Sequence, residues 1–177
     1  MTDCKLIIAG LGGQGVVFLS RLIGQAALLA GDDFITYESH GMAMRGGSVS
    51  SQVKIGSYNS PLIGAGTADI LLVLAHGEYE RNRHALKPDG ITLVNSATPI
   101  TGLASKNMVN ATALAVTHNL PKAVNLIFCG WAAEHSAFPY NFQQMQEAVE
   151  TAAATPAIKT ANLKALEIGR QEFSSSK

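Results

Sequence analysis

Thiols are scarce in this chain of 177 residues: the two cysteines, Cys4 and Cys129, lie 125 positions apart. An iron–sulfur cluster takes about four thiolates, normally in close-spaced groups, so the chain cannot hold one by itself. Both cysteines stand among apolar neighbours, Lys5-Leu6-Ile7-Ile8 and Leu126-Ile127-Phe128, the setting of buried free thiols. Charge is sparse and balanced, 13 basic against 13 acidic residues, and aromatics make up 6%. No basic stripe interleaved with aromatics marks a nucleic-acid footprint, and no acidic tail is present. No run reaches the roughly 20 apolar residues of a spanning helix. The apolar start of MTDCKLIIAG is closed by Gly10, too soon for a signal peptide, so a cytoplasmic chain without membrane contact is expected. Also missing are a Gly-x-Ser-x-Gly elbow, a His-Glu-x-x-His pair, clustered Cys and His ligands, and a P-loop Gly-Lys-Ser/Thr. No metal site is expected, and nothing here breaks a bond unaided.

What is present is a strand, a glycine turn and a helix at the start. Leu6-Ile7-Ile8-Ala9 runs apolar into Gly10-Leu11-Gly12-Gly13-Gln14-Gly15, and from Val16 apolar residues recur at helical spacing. Such a turn permits positive φ and close approach of a ligand, and the following helix points unpaired N–H groups outward, so an anion would fit. The spacing satisfies G-x-G-x-x-G, and Glu38 lies about 20 residues further on, where a dinucleotide fold places its ribose carboxylate. Two alternatives stay open: a turn whose glycines serve only helix-to-strand packing, and a free-standing NAD(P)-dependent oxidoreductase.

A second stretch, His40-Gly41-Met42-Ala43-Met44-Arg45-Gly46-Gly47, follows a strand-like Phe34-Ile35-Thr36-Tyr37-Glu38. One arginine before two glycines sets a fork of donors beside backbone able to form an anion-binding concavity. In an open α/β sheet, loops at that edge are where ligands go.

The two motifs in order, GLGGQG and then ESHGMAMRGGSVSSQVKIG, resemble the gamma subunit, or fused gamma domain, of 2-oxoacid:ferredoxin oxidoreductases. The HGMAMRGG wording is most similar to the beta subunit of the indolepyruvate-type enzymes, and the similarity continues through Ala68-Asp69-Ile70-Leu71-Leu72 and Lys122-Ala123-Val124-Asn125-Leu126. The resemblance implies a non-metal subunit of an enzyme that decarboxylates a 2-oxoacid on thiamine diphosphate, passes electrons through iron–sulfur clusters to ferredoxin and transfers the acyl group to coenzyme A. Those cofactors would sit in the assembled complex, with thiamine-binding and iron–sulfur subunits as partners and none held by this chain alone. Alone it should be colourless and inactive, and self-associate, as a homodimer for instance, through surface meant for partners. Gly12, Gly13, Gln14 and Gly15 match the family's opening loop, and Arg45, Gly46 and Gly47 its RGG loop. Arg45 is the expected anion contact, with Gln14 and His40 as polar walls of a shared pocket, and the resemblance implies that this domain packs near the thiamine site and helps bind coenzyme A or closes over the reaction. His40 stands where pyruvate-type members carry a Tyr-Gly-Pro-Glu-like run, which favours the indolepyruvate-like branch. A purely structural assembly subunit is the remaining alternative.

The fold expected is one α/β domain over residues 1–177, with a core of about 4–151: a Rossmann-like open, mostly parallel sheet flanked by helices, with a helical C-terminal part. Helix 16–30 should end at Gly31 and strand 48–55 should have one wet face. A buried strand follows at 70–75, then a helix from 76 to 86 stopped by Pro88-Asp89-Gly90, and strands at 91–95 and 107–111. Helices are expected from 111, at 122–135, at 141–153 and at 156–173, before an unordered tail from Ser174. His76 and Tyr79 fall at the mouth of the sheet, His76 as a secondary candidate, and Glu78, Glu80 and Glu134 read as solvated or capping residues.

Overall fold

The apolar run after Lys5 becomes the sheet's central strand because both its faces are covered. In the computed structural model, which describes residues 2–40 and 46–175 (for His40 the backbone alone), β1 (Cys4–Leu11) leads through the glycine turn into α1 (Val16–Ala30). Gly31 ends that helix in the left-handed region, its N–H returning to the carbonyls of Ala27 and Leu28. The chain continues through β2 (Phe34–His40), β3 (Ser48–Ile55), β4 (Ala68–Val73), the short α2 (Glu78–Asn82), β5 (Leu86–Asn95) and β6 (Met108–Val109). Four helices close it: α3 (Ala111–Thr117), α4 (Val124–Ala132), α5 (Phe142–Ala152) and α6 (Pro156–Ser175).

The six strands lie in the order β2-β3-β1-β4-β5-β6. β3 runs antiparallel to both its neighbours, whereas β1, β4, β5 and β6 pair in parallel. The chain moves left from β1 and later right from it, so the direction of winding reverses between β1 and β4. Alternate residues feed two cores, as a pleat requires. Leu6, Ile8, Ile70, Leu72 and Leu93 join the larger cluster with α1 and α3 to α6, while Ile7, Leu71, Val73 and Val94 join a smaller one with Ile63, Ala85 and Ile100. Among the described residues no helix is long and apolar enough to cross a membrane.

Three expectations need correction. The helix expected from 76 to 86 shrinks to α2 and a single 3-10 turn, Arg83–Ala85, and Pro88-Asp89-Gly90 lies inside β5 as an irregularity. Ala68 pairs with Leu86 but Ile70 already pairs with Ile91, so the residues between bulge out, where a proline without an N–H is tolerated. Asp69 holds the bulge, gripping Lys87 at 2.7 Å and accepting the N–H of Lys5 at 2.7 Å. The polar face of β3 is half-buried rather than open: Ser48, Ser50 and Gln52 keep part of their surface, Lys54 is buried beside Tyr58, and Gln52 accepts the N–H of Ile63 at 2.6 Å. Finally, α6 continues through Ser174 and Ser175, whose hydroxyls donate to the carbonyls of Arg170 and Gln171 one turn back. Residues 176–177 lie outside the described residues.

Candidate functional site

The two motif loops meet. Gly12 donates its N–H to the carbonyl of Gly47 at 2.9 Å, and a Cβ built on Gly12 would lie 3.5 Å from the Gly46 nitrogen. Leu11, the last residue of β1, pairs with Ser48, the first of β3, so the antiparallel pairing carries the 46–48 corner to the glycine turn. Gly41, Met42, Ala43, Met44 and Arg45 lie outside the described residues, as does the side chain of His40, whose backbone pairs with Val49 at the end of β2.

The glycines divide into two kinds. Gly15 caps α1 at φ 81°, and a Cβ there would lie 2.3 Å from the Asn125 amide nitrogen, so a side chain would strain the turn and displace Asn125. A Cβ on Gly10 would meet Val16, Gln14 and Leu74 at 2.9–3.1 Å. Gly13 and Gly46 also have positive φ, 95° and 71°, but a Cβ on either would have nothing within 4 Å. Gly10 and Gly15 therefore serve packing, and Gly12, Gly13, Gly46 and Gly47 form an open backbone rim.

Gln14 is committed to the scaffold. Its Oε1 accepts the Leu11 N–H at 2.7 Å and its Nε2 donates to the Leu74 carbonyl at 3.4 Å, bracing the ends of β1 and β4 where the winding reverses. It also walls a cleft of about 570 Å³ with His76, Ser96, Asn110, Thr112 and Thr117, at the carboxyl ends of β1, β4 and β5. His76 there shares a 2.9 Å hydrogen bond with Ser96, whose hydroxyl also donates to the Thr98 carbonyl. Asn95 donates to the Leu74 carbonyl and to Thr112, both at 3.0 Å, tying β4 and β5 to α3. Sequence reading missed Asn95, Ser96 and Thr112, although a polar pair closing the apolar run 91–94 is the signal that a strand ends at such an edge. Tyr79 is absorbed into the smaller core.

Glu78 departs most from its expected role. It is 3% exposed, and Ser48 donates its hydroxyl to Oε2 at 2.6 Å. Glu38, by contrast, pairs with Ser51 of β3, which in turn pairs with Ile8 of β1. A whole strand therefore separates it from β1, about 9–10 Å at ordinary strand spacing, so it lacks the adjacency by which a dinucleotide fold brings its carboxylate to the ribose.

Burial pushes the thiols of Cys4 and Cys129 up to about 12, so both stay protonated and are poor ligands. Among the described residues no group of three or more His, Cys, Asp or Glu gathers as a metal site. The residues present therefore do not fit an iron–sulfur cluster. The cleft beside the rim presents hydrogen-bonding side chains from Gln14, His76, Asn95, Ser96 and Thr112. At the opposite edge of the sheet, a cleft of about 690 Å³ is lined by Asn107, Trp131, His135 and Phe173, with Asn107 Oδ1 and His135 Nε2 buried without a hydrogen-bond partner.

The profile of the pyruvate ferredoxin/flavodoxin oxidoreductase family matches residues 5–172. The indolepyruvate oxidoreductase subunit IorB of Archaeoglobus fulgidus is 30% identical over 187 residues, spanning 93% of this chain and 92% of that one. Among solved structures, the pyruvate oxidoreductase subunit PORC from Thermotoga maritima shares the fold with a TM-score of 0.76 at 22% identity, covering 97% of each chain. The 2-oxoglutarate:ferredoxin oxidoreductase from Magnetococcus marinus, solved with 2-oxoglutarate, coenzyme A and succinyl-CoA bound, gives a TM-score of 0.80 at 18% identity, covering 99% of this chain and 32% of that one.

Proposed function

Because the chain belongs to the pyruvate ferredoxin/flavodoxin oxidoreductase family, we propose that it is the non-metal subunit of a 2-oxoacid:ferredoxin oxidoreductase and contributes one wall of the coenzyme A site. The observation that carries this reading is the Gly12 to Gly47 hydrogen bond, which seats both family motifs on one rim at the carboxyl edge of the sheet. Thiamine diphosphate, held by a partner chain, supplies the electron sink for decarboxylation. Iron–sulfur centres likewise belong to partners, in keeping with two buried thiols here.

This chain's own part is binding and closure. Backbone N–H groups at the glycine turn and the Arg45 guanidinium receive phosphate oxygens, a pairing that a planar fork of donors favours. Covering the site excludes water from the reacting acyl group, and fixing the coenzyme's phosphates positions its thiol for attack. His40 and Gln14 complete the polar wall, Gln14 chiefly by holding the turn in shape. On this reading the chain is one domain, resides in the cytoplasm and turns over no 2-oxoacid by itself.

The test is kinetic. In the enzyme reconstituted from all its subunits, Arg45→Ala should raise KM for coenzyme A about tenfold, the size of one lost charge-assisted contact, and leave KM for the oxoacid much less affected. Unchanged coenzyme A kinetics with intact assembly would reduce this chain to a scaffold.

A further inference from the structure

A carboxylate taken out of water must have a reason, since burying it costs free energy unless hydrogen bonds replace its hydration. Glu78 is 3% exposed and opens α2 just beyond the end of β4. Its Oε2 accepts the Ser48 hydroxyl at 2.6 Å, short and charge-assisted, while Oε1 has Arg81 Nε at 3.9 Å on a side chain that is 70% exposed. Arg81 is too distant and too solvated to account for the burial. α2 itself, five residues long, does not need the carboxylate, because the Glu78 backbone already donates to the Ala75 carbonyl and accepts from the Asn82 side chain. What the carboxylate holds is Ser48.

Ser48 stands next to Gly47, whose carbonyl receives the Gly12 N–H, and pairs across the sheet with Leu11. One hydroxyl-to-carboxylate bond thus joins three elements: the helix after β4, the entry of β3 and the glycine turn after β1. Gly46 needs such a fastening, because it has positive φ and no side chain to pack.

We propose that Glu78, acting through Ser48, is a positioning residue that fixes the Gly46-Gly47 corner against Gly12 and thereby sets the shape of the backbone rim that meets the anionic substrate. The proposal rests on the reading that this rim receives coenzyme A. Neither Glu78 nor Ser48 need touch the substrate for the latch to act.

Two measurements test it. In the isolated chain, Ser48→Ala and Glu78→Ala should each quicken hydrogen exchange at the Gly12 amide and at residues 46–48 about tenfold, with helix content unchanged. Ser48→Thr, which keeps the hydroxyl, should restore protection, and the double variant should be no worse than either single one. If Glu78→Ala does not fold, Glu78→Gln, which accepts a weaker bond, should give a smaller effect of the same sign. In the reconstituted enzyme the same variants should raise KM for coenzyme A more than they lower kcat. Unaltered exchange, or effects that add in the double variant, would overturn the latch. Arg45→Ala separates this from failure of the site reading. If it raises the coenzyme A KM and the latch variants do not, the positioning role alone is wrong; if none of them does, the assignment of coenzyme A falls and the positioning role with it.

Discussion

Gly13 and Gly15 stand two positions apart in one motif, yet serve different ends. Gly15 is demanded by the Asn125 amide pressed against it, whereas Gly13 faces open space. The sequence shows four glycines in six residues and no sign of which pack and which line a surface, since that depends on a residue on α4 far along the chain. Gln14 is similar: it is legible as the polar member of the turn, but its bonds to Leu11 and Leu74 become visible only once β4 lies beside β1. His135 yields a prediction at this scale. Burial, with a smaller contribution from Lys106, lowers its pKa below the ordinary histidine value, so folding favours the neutral ring. The folded state binds its proton less readily than the unfolded chain, so its contribution to stability is full above the unfolded value of about 6.5 and is lost as pH falls through the lower folded value. Trp131, the chain's single tryptophan, lies 4.6 Å from the His135 ring and reports on it. Urea melts followed by its fluorescence should show midpoints falling below pH 6.5, and His135→Leu should flatten that slope; an equal slope in the variant would place the titration elsewhere.

At the scale of elements, α4 and α6 approach almost backbone to backbone. A Cβ on Gly130 would lie 1.9 Å from the Leu166 carbonyl oxygen, and one on Gly169 would lie 1.9 Å from that of Ile127. Gly130→Ala or Gly169→Ala must drive the helices apart and should each cost about 3 kcal/mol, the upper end of ordinary overpacking. Denaturant unfolding checks this, and a loss below about 1 kcal/mol in either variant would mean that the helices slide freely past each other. Those helices were readable from their apolar residues and from Pro121 and Pro156 near their starts, whereas the reciprocal cap of Asn141 and Gln144 on α5 appears only in the structure. The segment 76–90 was not. Its helical composition gives way because Asp69 recruits Lys87 and Leu86 pairs with Ala68, contacts set by a strand well upstream. The sequence leaves the bond between Glu78 and Ser48 hidden for the same reason: thirty positions of chain separate two groups that the sheet brings to 2.6 Å.

For the whole molecule, strand content and class follow from the alternation of apolar runs, but strand order does not. Nothing local to 48–55 states that this strand enters between β1 and β2, yet that insertion brings the RGG corner to the glycine turn and moves Glu38 away from it. A cleft of about 510 Å³ walled by Phe18, Leu120, Pro121, Leu126 and Ile158 opens beside the first turn of α1, and Phe18 and Ile158 remain exposed. Apolar surface of this kind draws copies together when partners are missing. The purified chain should therefore sediment as a concentration-dependent dimer, and Phe18→Glu with Ile158→Glu should return it to monomer; an unchanged distribution in the double variant would exclude this groove as the contact.

The antiparallel seating of β3 has one more consequence. Because β2 and β3 are direct neighbours, the strand ends at His40 and Ser48 are held in place by the ladders on either side of them. The stretch between them can then be exchanged like a cartridge: an engineer could graft another in its place while the frame beneath keeps its shape.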